Sequence, residues 1–274
     1  MRSYGNGVDP RVMINDQSND MVAYADDRFK LVNSLMGKLK TKYTKNGQSY
    51  QELTARYGTL NGQRNSMASA VSRYIGGIYV DRSFPQQNSG NKPLTPVPAT
   101  MQKKAMDLLS KYVFAPNAFD ADAQVFPYLQ LQRRGYNFFG NPEDPKIENN
   151  VMAIQLNVLG FILHPVTKAR INNTGLYGNS YSVADVMNDL TKAIFDADKA
   201  GAVNLYRQNL QTEFVKGAAN ILSSAAYDNA TKAAALSTLK KIKTLLATAV
   251  SPNEQTRAHR TQLNFLVDKA LSVK

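Results

Sequence analysis

Apolar residues recur every three or four positions through most of this 274-residue sequence. One example is the stretch "DDRFKLVNSLMGKLKTKY", where the apolar residues fall on one stripe and lysines on the other face. Such spacing predicts amphipathic helices that bury one face. The sequence therefore predicts an all-α fold, an irregular bundle of about eight to ten helices. The stripe residues of the example are Phe29, Val32, Leu35, Met36 and Leu39.

Several predicted helices begin with residues that cap a helix N-terminus. Ser182 to Asp185 reads as a cap followed by an acidic first turn, and Asp228 opens the next-to-last helix. Ser251, with Pro252 after it and Glu254 at the third position, predicts a capping box for the last helix. The apolar run "KIENNVMAIQLNVLGFILHP" predicts a central helix buried on nearly all sides.

A segment rich in Pro, Asn, Gly and Ser, residues 83–98, predicts a loop or internal boundary. It separates an N-terminal helical segment, 1–82, from a helical bundle, 99–274. We expect 17–82 to pack with that bundle as one compact unit. A short extended segment is possible near 77–84, after a glycine pair.

The composition narrows the class of protein. Hydrophobic residues make up 43% and charged residues 20%, which is typical of a globular domain. The absence of cysteine excludes disulfides and thiolate metal ligands. No apolar run is long enough to predict a transmembrane segment. The net charge of +12 is spread along the chain, with no basic tail. Such an excess can favour anionic partners, but a solvated basic surface is the favoured interpretation.

The two histidines, His164 and His259, do not form a metal-binding motif. His164 precedes a proline and is interpreted as a helix-end residue. His259 lies between Arg257 and Arg260, which predicts a solvated side chain on an exposed helix face. The sequence therefore predicts no metal site and no catalytic residue in this chain.

Two Asp-x-Asp pairs, Asp120/Asp122 and Asp196/Asp198, are the remaining acidic candidates. Neither continues into a calcium-binding loop pattern, so both are interpreted as ordinary acids at helix ends.

The stretch "LQRRGYNFFGNPEDPKI" joins two predicted helices and contains adjacent arginines and three aromatics. Such residues could stack bases and neutralise phosphates. No nucleic-acid-binding motif surrounds them, and aromatics between helices more often fill the seam of a bundle. A structural or inter-domain loop is therefore favoured over a nucleic-acid site. The candidate residues are Arg133, Arg134, Tyr136, Phe138 and Phe139.

Several segments in order resemble one family. They include "SRYIGGIYVDRSF", "LQLQRRGYNFFGNPEDPKI" and "ILHPVTKARINNTGLYGNSYSVADVMNDLTKAIFDAD". The sequence resembles the C-terminal region of large bacterial zinc-dependent metalloproteases of the met-zincin type. The similarity extends from about Asp9 to Leu271.

The resemblance implies a function that this chain does not perform alone. The catalytic half of that family carries His-Glu-x-x-His-x-x-Gly-x-x-His, whose histidines hold zinc and whose glutamate activates water. This sequence lacks the motif, so no catalytic residue transfers to it. The resemblance implies a non-catalytic C-terminal domain that braces an upstream catalytic domain or shapes access of a peptide substrate. It further implies zinc in that other half and an exported location.

Two alternatives stay open at this point. The chain could be an independent helical module that binds a polyanion or a protein partner through its basic surface. It could also be a helical enzyme with a dispersed site, which a deep pocket lined by acids or by His164 would favour.

Overall fold

The computed structural model describes residues 10–46, 50–76, 99–125, 147–163 and 181–272. This part of the chain contains nine α-helices and no strand. The predicted all-α fold with eight to ten helices is confirmed. The helices are α1 (Pro10–Asn46), α2 (Tyr50–Gly76), α3 (Ala99–Leu109), α4 (120–125), α5 (Ile147–Leu163), α6 (Val183–Ile194), α7 (Leu205–Ser223), α8 (Asn229–Thr248) and α9 (Glu254–Ser272).

Two short helical turns join these elements. A π-helical turn, Ser110–Phe114, continues α3, and a 3₁₀ turn, Asp196–Asp198, follows α6. The π-turn keeps Tyr112, Val113 and Phe114 buried, so the apolar stripe of α3 extends beyond its last α-helical residue. Both turns also place backbone carbonyls or carboxylates near the buried polar groups described below.

The helices pack in sequence around one large apolar cluster. Helix α2 contacts α1, α3 and α5, and α5 contacts α7 on its other side. Helix α7 then packs against both α8 and α9, while α8 also packs against α6. The large cluster spans these elements, with Phe29, Leu109, Phe214 and Leu263 among its fully buried members.

A second, smaller apolar cluster joins α1, α2 and α4. It contains Val32, Met36 and Leu39 of α1, as the helical periodicity predicts. Leu35, predicted on the same stripe, is instead 38% exposed. The partners from α2 and α4 are Leu53, Tyr57, Leu60 and Val125.

The first two predicted helix caps are confirmed. Ser182 and Asp185 form a capping box in which the Asp185 amide donates to Ser182 Oγ at 3.2 Å. The Asp228 carboxylate accepts from the Thr231 amide at 2.7 Å. In both helices the cap satisfies a backbone donor that has no partner within the helix.

The predicted start of the last helix is wrong by two residues. Helix α9 begins at Glu254, and the side chain of Asn253 accepts from the Thr256 amide at 2.8 Å. Ser251 does not cap the helix, because its hydroxyl accepts from Arg260 Nη1 at 3.3 Å.

Helix α5 is buried on one broad face rather than on nearly all sides. Its buried residues include Val151, Ile154 and Val158, while Ala153 and Gly160 are exposed. These exposed positions are small, and small residues leave little apolar area in water.

The predicted extended segment near 77–84 and the boundary at 83–98 lie outside the described residues, and the division into 1–82 and 99–274 stays a prediction. None of the described helices combines the length and the hydropathy required to cross a membrane.

Candidate functional site

The candidate loop residues, Arg133, Arg134, Tyr136, Phe138 and Phe139, lie outside the described residues, as does His164. Within the described part, the polar groups with the strongest structural constraints are two buried arginine–aspartate centres. Each is built around the second acid of an Asp-x-Asp pair.

The first centre, called the Arg64 centre, joins α2 to α4. Arg64 and Asp122 are both fully buried and form two hydrogen bonds. Arg64 Nη1 donates to Asp122 Oδ2 at 2.8 Å, and Nη2 donates to Oδ1 at 2.5 Å. The Tyr57 hydroxyl also donates to Oδ1 at 3.2 Å, and Nη2 donates to the Asn61 side chain at 3.1 Å. The guanidinium lies 4.5 Å from the ring centroid of Phe119.

Arg64 is held in place by its position on the buried stripe of α2. Leu60, Ala68 and Val71 lie on the same buried face, so the guanidinium has no route to solvent. The interpretation of Asp122 as an ordinary helix-end acid is therefore wrong. Asp120 is exposed, and only the second acid of the pair turns inward.

The second centre, called the Arg207 centre, lies where the turn after α6 meets α7 and α9. Arg207 Nε donates to Asp198 Oδ2 at 2.8 Å, and Gln211 Nε2 donates to the same oxygen at 2.9 Å. Arg207 is 1% exposed and Asp198 7% exposed. Asp196 is exposed, whereas Asp198 is buried. The interpretation as an ordinary helix-end acid is therefore wrong for Asp198, the second acid of the pair.

Most hydrogen bonds of the Arg207 centre go to backbone carbonyls. Arg207 Nη1 donates to the carbonyl of Phe114, and Nη2 donates to those of Ala193 and Ile194 at 3.1 Å and 3.2 Å. From α9, Arg260 Nη2 donates to the carbonyl of Asp198 at 2.8 Å. Carbonyls at helix ends have no partner within their own helix, so the two arginines satisfy them.

His259 completes the Arg207 centre, which corrects the prediction of a solvated side chain. It is 6% exposed, and its Nε2 lies 2.9 Å from Gln211 Oε1. Because the amide nitrogen of Gln211 already donates to Ile194 and Asp198, its oxygen is the acceptor. His259 Nε2 therefore carries the proton and donates.

Burial shifts the pKa values of the Arg207 centre. The pKa of His259 is lowered to about 4, mainly by burial and then by the positive charge of Arg260. Burial raises the pKa of Asp198, while the nearby Arg207 and Arg260 offset part of that rise. Both shifts favour the uncharged forms, as expected for groups removed from water.

Neither centre offers a reactive group. The carboxylates of Asp122 and Asp198 accept hydrogen bonds from arginines, and the His259 proton is directed at Gln211. A general base needs access to a substrate proton, which these buried groups lack. Within residues 10–46, 50–76, 99–125, 147–163 and 181–272, no group of three or more metal-ligating side chains is placed to hold a metal ion.

A groove of about 400 Å³ runs between α5 and α7. Leu156, Leu159 and Leu163 form its apolar floor. At its rim, Glu213 and Lys216 are paired with each other at 2.7 Å. The helices approach closely here, since a Cβ on Gly217 would lie 2.8 Å from Leu163 Cδ1. Such a groove could accept an apolar side chain of a ligand.

The sequence contained one signal for the residues that were missed. Arg64, Arg207, His259 and Arg260 each occupy a position on the apolar stripe of their helix. A charged residue on a buried stripe must find a buried partner, because leaving it unpaired costs several kcal/mol. Stripe position was therefore a better guide to these residues than motif spacing.

The sequence model of one protein family, described as Met-zincin, matches residues 2–201. The matched region is more than half of the chain and includes both acids of the two buried centres. None of the curated proteins matches the sequence, and none of the solved structures does.

Proposed function

Because the chain belongs to the Met-zincin family, we propose that it is a non-catalytic helical domain of a zinc-dependent metalloprotease. In this proposal it braces the catalytic domain or shapes the access of a peptide substrate. One observation carries it: the family match covers residues 2–201, yet the sequence has two histidines and no His-Glu-x-x-His. The chemistry of peptide hydrolysis is therefore assigned to another part of the protein.

The family implies zinc in general, and the residues described in this chain do not fit a zinc ion. A catalytic zinc site of this class needs three converging protein ligands. His259 is enclosed in the Arg207 centre and directs Nε2 at an amide oxygen. Asp122 and Asp198, the acids that are buried, are paired with arginines. We therefore assign zinc to the catalytic domain and route no step through this chain.

The packing of the bundle supports a bracing role. The π-turn after α3, the end of α6, and helices α7 and α9 are tied together through the Arg207 centre. The Arg64 centre similarly ties α2 to α4. Buried hydrogen-bond networks of this kind favour one arrangement of the elements that they join. In the Arg64 centre the two terminal nitrogens of the guanidinium are paired, while Nε has no hydrogen-bond partner. A rigid bundle can position a neighbouring domain without taking part in its chemistry.

Two further proposals follow from family membership. The substrate of the whole protease is a peptide or protein, bound by the catalytic domain. The protein acts outside the cytoplasm, in the envelope or the medium of a bacterium. Fractionation of the producing cells, with detection of this chain in each fraction, tests the second proposal.

A titration tests the bracing role. The catalytic domain would be produced separately, loaded with zinc, and mixed with increasing amounts of this chain. Cleavage of a fluorescence-quenched peptide is measured at each concentration. We expect a saturable rise in cleavage, because docking of the bundle stabilises the active arrangement. An unchanged rate, together with no binding between the parts, would contradict the proposal.

A histidine-free variant, H164Q/H259Q, serves as the control for zinc. If zinc is held elsewhere, this variant supports the same rise in cleavage at neutral pH, provided that circular dichroism shows it folded. A folded variant that still binds the catalytic domain but leaves it with less bound zinc would show that this chain supplies a ligand.

The net charge of +12 favours one alternative, a module that binds a polyanion. Its signature is an affinity for nucleic acid or heparin that falls steeply with salt. Tight, salt-sensitive binding without any effect on cleavage would favour this alternative over bracing.

A further inference from the structure

Helix α1 carries a second stripe of side chains beside the one that it buries. Its core face contains Ala25, Phe29, Val32, Met36 and Leu39. The second stripe follows offsets of 0, 4, 7, 11, 14 and 18 residues, so its members line up along one side of a helix. Over those positions it runs about 27 Å. The stripe consists of Tyr24, Arg28, Leu31, Leu35, Lys38 and Lys42.

The apolar members of this α1 outer stripe are exposed. Tyr24 is 42% exposed, Leu31 46% and Leu35 38%. Half of the six large exposed hydrophobic residues in the described part of the chain therefore lie in one line. Single exposed apolar residues are ordinary, whereas an aligned group indicates a surface that contacts a partner.

The stripe is also positive. Its other members, Arg28, Lys38 and Lys42, are cations, and none of its positions holds an acid. The neighbouring Asp27 lies off the stripe and pairs with Lys30 at 3.6 Å. A complementary surface would therefore combine an apolar strip with carboxylates at its borders.

We propose that the α1 outer stripe is the surface on which the catalytic domain of the same protein docks, through an apolar strip bordered by carboxylates. The proposal rests on the proposed function. A second copy of this chain fits poorly, because it would place lysines and arginine against their like.

The small size of the stripe favours a tethered partner. Stable interfaces between free proteins bury about 1,000 Å² or more, which three half-exposed side chains do not approach alone. A partner in the same polypeptide has a high effective concentration and needs a smaller interface. A lipid surface is disfavoured, since the wide apolar face of α1 is already buried in the bundle.

The test compares two double variants of this chain. L31S/K38E removes one apolar and one basic member of the stripe. L205S/K240E makes the same two changes at exposed positions on α7 and α8. Because the chain has no cysteine, a single one introduced at exposed Thr244 carries a fluorophore. Binding to the separately produced catalytic domain is followed by anisotropy.

We expect L31S/K38E to raise the Kd by about tenfold or more and L205S/K240E to leave it within about twofold. Equal effects of the two variants would overturn the inference. If the unmodified chain stimulates cleavage while L31S/K38E binds equally well, the inference fails and the proposed function stands. If the unmodified chain neither binds nor stimulates, both fail.

Two measurements on the chain alone decide between the other occupants. Sedimentation velocity would reveal a dimer, and co-flotation with phosphatidylglycerol vesicles would reveal membrane binding. Either association, if abolished by L31S/K38E and kept by L205S/K240E, would assign the stripe to a second copy or to a lipid surface and overturn the inference.

Discussion

The Arg64 centre and the Arg207 centre contain the same chemical couple in two different settings. Arg64 gives two hydrogen bonds to Asp122, and its other partners are side chains. Arg207 gives one hydrogen bond to Asp198 and the rest to backbone carbonyls of two other elements, Phe114 of the π-turn and Ala193 and Ile194 of α6. Arg64 therefore donates mainly to the carboxylate of its aspartate, whereas Arg207 donates mainly to backbone carbonyls.

This difference decides which centre can be replaced by apolar residues. A buried ion pair made of side chains can be exchanged for apolar groups of similar volume at little cost, and sometimes with a gain. Backbone carbonyls remain after any substitution and need donors wherever they are buried. The Arg207 centre is therefore expected to tolerate no apolar replacement.

The largest effect is expected for R207M. It leaves the Asp198 carboxylate without its arginine and removes the arginine donors to the carbonyls of Phe114 and Ala193, while Ile194 keeps its hydrogen bond from Gln211. The free energy of unfolding should fall by about 5 kcal/mol. Urea denaturation followed by circular dichroism measures the change. The control is R257M, which alters an exposed arginine on α9 and should stay within about 0.5 kcal/mol of the parent.

For R64M the free energy of unfolding should fall by less, about 3 kcal/mol, because the groups that lose a donor are side chains, Asp122 and Asn61, and Tyr57 still donates to Asp122. Adding D122L removes the carboxylate that R64M leaves without its arginine. The free energy of unfolding of R64M/D122L should therefore return to within about 1 kcal/mol of the parent. The parallel variant R207M/D198L should not recover, since the carbonyls of Phe114 and Ala193 still lack the arginine donor. Recovery of both doubles, or of neither, would break the distinction between the two centres.

The third prediction concerns pH and the histidine found only in the Arg207 centre. The pKa of His259 is lowered to about 4, so the unfolded chain takes up a proton before the folded chain does. The contribution of His259 to the free energy of unfolding is therefore fully present above the ordinary histidine pKa of about 6.5, and it is lost as the pH falls toward 4. Between pH 7 and pH 5 the parent should lose about 2 kcal/mol more stability than H259Q. Urea midpoints at the two pH values measure the difference.

Other groups also contribute to the pH dependence of stability, and the difference between parent and H259Q cancels those that lie outside the Arg207 centre. Asp198 acts in the opposite direction, because its raised pKa lets the folded chain bind a proton first. Asp26 and Asp185 have lowered pKa values, so their contributions are lost with acid in both proteins. Parallel pH curves for the parent and H259Q would show that His259 is not buried as described.

Sequence periodicity predicted the helices because burying a continuous apolar stripe dominates local structure. Phe29, Val32, Met36 and Leu39 are all buried as predicted. Polar residues on the same stripes are buried as well, so the two arginines near His259 wrongly predict a solvated side chain. Asp122 lies 58 residues from Arg64, and Phe114 lies 93 residues from Arg207, so these two contacts depend on tertiary packing that no local pattern encodes. Asp198 is only nine residues from Arg207, but a turn between two helices separates them, so helical spacing does not predict the pair either.

The smallest changes in stability are expected for substitutions at the start of α9, where the helix joins the Arg207 centre. In N253A the Thr256 amide loses its cap, which costs about 1 kcal/mol. S251A removes a single hydrogen bond from Arg260 at 3.3 Å and should cost less, about 0.5 kcal/mol. D228A, which removes the confirmed cap of α8, provides the reference value of about 1 kcal/mol.

The amide of Val203 gives a local readout of the same change. It donates to Thr256 Oγ1 at 3.1 Å, so fraying of the first turn of α9 should speed its hydrogen exchange. Exchange at Asp122 in the Arg64 centre should stay the same, since among the described helices α9 packs mainly against α7 and α8. A larger loss in S251A than in N253A would restore Ser251 as the cap predicted from sequence. Faster hydrogen exchange at both centres would show that they open together. The two centres would then differ in their hydrogen-bond partners but not in their local stability.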